Sequence, residues 1–127
     1  MATSVVQERG TIFACNPQAG RPYSYQSAAS VNAQVVQQGP CIVSALALIN
    51  TTANLYWLKI YDMSSAPVAG AGTPVLRIPV PASATGAGLV TAFAFQLQNG
   101  FAFTVVDSDT TVAATGVTLN FTVRNLS

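Results

Sequence analysis

VTLNFTVRNL, residues 117–126, sets the pattern for the whole chain. Val117, Leu119, Phe121 and Val123 alternate with Thr118, Asn120, Thr122 and Arg124. A strand projects successive side chains to opposite faces, so this stretch reads as a β-strand with one buried face and one polar face. Upstream, FAFTVV (101–106) places Phe101, Phe103 and Val105 together, and LVTAFAFQL (89–97) groups Leu89, Thr91, Phe93 and Phe95. QNG between them is a hairpin-type turn signal. PVLRIPV (74–80) alternates Leu76, Ile78 and Val80 with Val75, Arg77 and Pro79. Pro79 lacks an N–H, which marks an edge strand or a local break. LYWLKIYD (55–62) is rich in aromatic and β-branched residues, and Tyr56, Leu58 and Ile60 form its better core face. CIVSALALIN (41–50) is almost wholly apolar, as expected of a strand covered on both sides. NAQVVQ (32–37) precedes it across a QGP turn signal.

Turn signals recur at regular short intervals, and Gly, Pro and β-branched residues are too frequent for helices. The expected fold is all-β: an antiparallel β-sandwich, jelly-roll-like, of about seven to eight strands. At 127 residues the chain suits one such body, residues 31–127. Residues 1–30 lack sustained periodicity and hold Pro17, Gly20 and Pro22, so they read as an extended N-terminal arm. Ile12, Phe13, Tyr23 and Tyr25 are poor company for a solvated tail, and they mark this arm as a contact element for a partner.

Charge narrows the function. Only 7% of residues are charged and the net charge is +1, where ordinary soluble domains carry about 25% charged residues. A free monomer uses charge to stay dispersed. A surface of Ser, Thr, Asn, Gln, Gly and Ala suits a protein packed against copies of itself or a partner, because charge is depleted in interface cores. The balance offers no footprint for nucleic acid or an anionic membrane. The longest strongly apolar run, residues 41–49, is far short of the ~20 residues of a membrane helix. The first residues lack a secretory pattern, so synthesis in the cytoplasm is expected.

The inventory for chemistry is thin. Without histidine, Ser-His-Asp and Cys-His arrangements are absent. Glu8, Asp62, Asp107 and Asp109 are the only carboxylate side chains, and they are not distributed as a catalytic pair. GAGTP lacks the lysine of a phosphate loop. The expectation is a non-enzyme with no cofactor. DSDTT (107–111) offers Asp107 and Asp109 as a weak Ca²⁺ site, against the plainer reading of an Asx-turn loop tip. Tyr56, Trp57 and Tyr61 form a possible glycan-stacking platform, against core or interface packing. Cys15 and Cys41 are either a disulfide or, as cytoplasmic synthesis favours, two reduced thiols acting as small hydrophobes. Asn50, Asn120 and Asn125 each open an Asn-x-Ser/Thr triplet, coincidental in a Thr-rich chain without a signal peptide.

LYWLKIYDMSSAPVAGAGTPVLRIPVPASATG (55–86) followed by FAFTVVDSDTTVAATGVTLNFTVR (101–124) resembles a family of small β-structured virion proteins of tailed phages and prophages. The likeness spans about Leu55 to Arg124 and rests on packing and turn motifs. The chain departs from it at Val90–Gln98, where a glycine-rich turn is expected, and residues 1–30 have no counterpart. The resemblance implies a virion component assembled in the host bacterial cytoplasm: a capsid decoration (cement) protein, or a neck, head-fibre or tail accessory protein that recognises a host surface glycan. It implies a homo-oligomer, by analogy a trimer, with the major capsid protein or another virion protein as partner. The small-residue loop after Asp62, with Pro67 and Val68, is then a second candidate contact surface beside the arm.

Overall fold

The computed structural model describes residues 20–28, 32–68, 72–83, 88–107 and 115–126. Eight strands are formed among them: β1 (Arg21–Gln26), β2 (Ala33–Gln38), β3 (Cys41–Asn50), β4 (Tyr56–Asp62), β5 (Leu76–Val80), β6 (Leu89–Leu97), β7 (Gly100–Val106) and β8 (Val117–Asn125). They build two four-stranded antiparallel sheets, one ordered β1-β8-β3-β6 and the other β2-β7-β4-β5. The all-β antiparallel sandwich expected from the alternating pattern is the architecture observed. Among the described strands, β4 and β5 are the one consecutive pair sharing a sheet, and each of the others is followed by a strand of the opposite layer.

The inner faces meet over a continuous core that includes Val43, Leu48, Leu58, Ile60, Phe101, Phe103, Val105, Leu119, Phe121 and Val123. The alternation in β8 is realised residue by residue, with Val117, Leu119, Phe121 and Val123 all buried. Aromatic rings bridge the layers. Phe101 of β7 meets Phe121 of β8 edge-on at 4.9 Å, and Phe103 lies 5.7 Å from Phe121. Edge-to-face rings at these distances add to the gain from apolar burial alone.

Three readings of the sequence are corrected. First, the arm does not extend to residue 30. Residues 21–26 are a sheet strand paired in register with β8, Arg21 opposite Val123 and Gln26 opposite Thr118. Its two tyrosines alternate with Pro22, Ser24 and Gln26, a short period-two signal obscured by the flanking Gly20 and Pro22. Second, the strand buried on both faces is β7, not β3. Ala102, Thr104 and Val106 are as buried as Phe101, Phe103 and Val105, because β4 sets the long side chains of Tyr61, Lys59 and Trp57 directly beside them. Third, β6 and β7 are not a hairpin. Gln98 and Asn99 form a two-residue corner from one sheet to the other. In β4 the expected core face of Tyr56, Leu58 and Ile60 is observed, and Tyr61 and Lys59 on the opposite face are also buried, 4% and 3% exposed.

Corners cluster at one end of the sandwich. Gly39 and Pro40 join β2 to β3 there, and the Gly39 N–H donates to the Asn99 carbonyl at 2.9 Å. Gly100 follows the second corner at φ 156°, and a Cβ on it would lie 2.6 Å from the Met63 carbonyl oxygen and 2.7 Å from that of Gln37. Only glycine fits a backbone approach this close.

Candidate functional site

At the corner end, β4 finishes in Asp62, whose carboxylate collects the backbone N–H groups of the β6–β7 corner. Asn99 donates to Oδ1 at 2.7 Å, Gln98 at 3.1 Å and Gly100 at 3.3 Å. The side chain is thereby committed to holding the corner. A carboxylate held by several backbone amides is a strong anchor.

Two connected hollows open beside this anchor. One, of about 480 Å³, lies under the loop after β4 and is lined by Tyr61, Asp62, Met63, Pro67, Val68 and Val75. The other, of about 320 Å³, lies between the edge strands β5 and β6 and is lined by Asp62, Val75, Leu76, Phe95, Gln96 and Leu97. Asp62 and Val75 belong to both, so the hollows run together as one groove along the β5/β6 side. Val68 is 70% and Val75 57% exposed on its rim. Large aliphatic side chains left in water beside an apolar hollow give the groove capacity for an apolar occupant. The described residues hold no cluster of three or more His, Cys, Asp or Glu side chains; the groove presents mainly apolar side chains, and among the described strands β5 and β6 are the last of their sheets on this side.

The other residues singled out from sequence fall in different places. Pro67 is buried and Val68 exposed, and both line the groove. Tyr23 and Tyr25 are corrected as partner contacts: they pack on their own core. The Tyr25 ring meets Phe103 edge-on at 5.1 Å, and Tyr23 lies 6.3 Å from Phe121. Burial is the main cause that pushes both phenols above their ordinary pKa. Ile12, Phe13 and Asp109 lie outside the described residues, while Asp107 is exposed at the end of β7. The aromatic platform does not form. Tyr56 is 7% exposed and belongs to the core, Tyr61 is 4% exposed, and Trp57 is half-buried. Strand parity also puts Tyr56 on the face opposite Trp57 and Tyr61.

Cys41 is a fully buried free thiol. Burial pushes its pKa up, the charge of Asp62 adds to that, and Arg21 opposes it. It behaves as a small hydrophobe; Cys15 lies outside the described residues.

Two buried asparagines escaped sequence reasoning. Asn32 is 2% exposed; its Oδ1 accepts from the Tyr25 hydroxyl and the Ala28 N–H, both at 2.7 Å. At the end remote from the corners, the Asn50 amide donates to the carbonyls of Asn54 and Val80 at 2.7 and 2.9 Å. Its Oδ1 accepts from Thr52 N–H and Oγ1 at 2.9 and 2.6 Å. With its side chain consumed and only 1% exposed, Asn50 is a loop organiser within its triplet. An asparagine among turn residues reads as surface in a sequence, and nothing local distinguishes a buried one whose side chain makes four hydrogen bonds.

No family model, curated protein or solved structure matches this chain.

Proposed function

We propose that the chain is a non-enzymatic structural component of a tailed-phage virion, a capsid decoration protein that stabilises the shell through contacts between copies and with the major capsid protein. The observation that carries this reading is the charge content, 7% across 127 residues. A surface so poor in charge is suited to burial against other protein. The resemblance of residues 55–124 to small virion β-proteins directs the reading to a phage particle. The interleaved order β1-β8-β3-β6 over β2-β7-β4-β5 supports a jelly-roll reading of the sandwich, an architecture at home in capsid and lectin domains. On this proposal the protein is assembled in the bacterial cytoplasm, acts in the virion and works as a homotrimer.

Quantitative mass spectrometry of purified particles tests the proposal. A decoration protein is present in numbers comparable to the shell's own subunits. A much lower count fits the alternative, a neck, head-fibre or tail accessory protein recognising a host glycan. Absence from the particle overturns both.

A further inference from the structure

The two sides of the sandwich are finished differently. At the β1/β2 side, Arg21 crosses from one sheet to the other and donates to Gln37 Oε1 at 2.6 Å and to the Val36 carbonyl at 3.3 Å. Tyr23 and Tyr25 fill the space beneath it. At the β5/β6 side no such bridge is formed among the described residues. The edges there also differ from each other. β5 carries Arg77 and Pro79, a charge and a missing donor, both of which discourage a further strand. β6, LVTAFAFQL, has nine residues with neither charge nor proline. It is interrupted only by a register shift, Ser44 facing Ala94 while Leu46 faces Thr91. A long uncharged edge beside an apolar groove is a template for an added strand.

We infer that the β6 edge and the groove beside it receive residues Thr11–Ala14 (TIFA) of a second copy of this chain, Ile12 and Phe13 supplying the apolar side chains. This rests on the assembly reading proposed above and names the surface that the arm engages. Residues 1–19 precede the first described strand and hold a β-branched and aromatic stretch with no charge between Gly10 and Gly20. That suits an edge and a groove that also lack free charge, since Asp62 is occupied by the corner amides.

Geometry selects a second copy over the same chain. Arg21 faces Val123, Val123 faces Val43, and Val43 faces Phe95, so β1 and β6 occupy the two ends of one cross-strand row. The outer flank of β6 is four strand spacings from β1, ~19 Å, and crossing the sheet face adds ~5 Å up and ~5 Å down. The seven residue steps from Ala14 to Arg21 span at most ~25 Å when fully extended. A chain cannot comfortably deliver Thr11–Ala14 to its own β6, whereas a neighbour can. An arm of one copy in the groove of the next is a head-to-tail contact, and such contacts form a ring where the rotation between copies closes.

Cross-linking tests this on full-length protein. One preparation keeps Cys15 and carries a mass tag; the other carries Cys15→Ser with Val75→Cys. Cys41 is 0% exposed and does not compete. Mild oxidation of the mixture is expected to join Cys15 of the tagged chain to position 75 of the untagged one. No such link overturns the inference. So does a link confined within single molecules when Val75→Cys is introduced into a chain that keeps Cys15. In sedimentation, Phe13→Asp and Val75→Asp are each expected to shift the assembly toward the 13.1 kDa single chain. A wild type that is already a single chain, or an assembly that survives both substitutions, also overturns it. Particle counts decide the virion reading separately: a chain absent from particles yet cross-linked as expected loses that reading and keeps this contact, and the reverse result does the opposite.

Discussion

The β1/β2 side and the β5/β6 side are the same kind of boundary, the line along which two sheets run out of strands. On the first, a guanidinium, two tyrosine rings and Asn32 span the gap between layers. On the second, Val75 stays largely in water above a hollow of about 320 Å³. The difference separates stability from association. Closing a side requires large side chains with satisfied polar ends, which fixes that side within one molecule. Leaving one open costs some apolar burial and keeps apolar side chains such as Val75 in water.

Substitutions can break the comparison. Phe103→Ala removes the ring that meets Tyr23, Tyr25, Phe101 and Phe121. It is expected to destabilise the fold by about 3–5 kcal/mol in denaturant titration; a loss below 1 kcal/mol would show that the closed side carries no special weight. Asn32→Ala removes the acceptor shared by the Tyr25 hydroxyl and the Ala28 amide, with an expected loss of about 1–3 kcal/mol in the same assay.

Tyr25→Phe removes one hydrogen bond and is expected to cost about 1 kcal/mol at neutral pH. It also bears on alkaline stability. Burial raises the folded pKa of Tyr23 and Tyr25, so the folded state holds these protons more tightly than the unfolded chain. Their contribution is therefore complete below about pH 10 and is lost as pH rises through and above that value. Melting curves from pH 8 to 11 should show the loss, and Tyr25→Phe should reduce it. A profile unchanged by that substitution would count against the buried phenol as its source. Val75→Gln, on the open side, should move stability by less than about 0.5 kcal/mol. A large loss there would mean that the open side is part of the fold's own core.

Seven of the eight strands were legible because each carries either clean alternation or a long β-rich run. Val117–Asn125 shows the first, Cys41–Asn50 the second. β1 was hidden because Tyr23 and Tyr25 are its only large apolar positions and Pro22 lies between Arg21 and Tyr23. The pairing of strands was less legible than their existence. Gln98-Asn99-Gly100 reads as a hairpin locally, but the partners of β6 and β7 are set by contacts distant in sequence, β3 for one and β2 with β4 for the other. The groove was half legible. Pro67 and Val68 were singled out within their loop, but Leu76, Phe95 and Leu97 join them only through the pairing of the sheets. The supposed platform failed because Tyr56, Trp57 and Tyr61 were grouped by sequence proximity, although adjacent strand residues point to opposite faces.

Asp62 also determines how the molecule transmits force. Its carboxylate ties the end of β4 to the corner between β6 and β7, and β4 and β7 are the central pair of the other sheet. Tension applied along β6 loads the β3–β6 ladder in shear, with several hydrogen bonds sharing the strain at once. Tension that reaches the corner passes through three amides into those central strands rather than peeling the edge away one bond at a time. The body is thus reinforced at the point where its exposed edge turns inward.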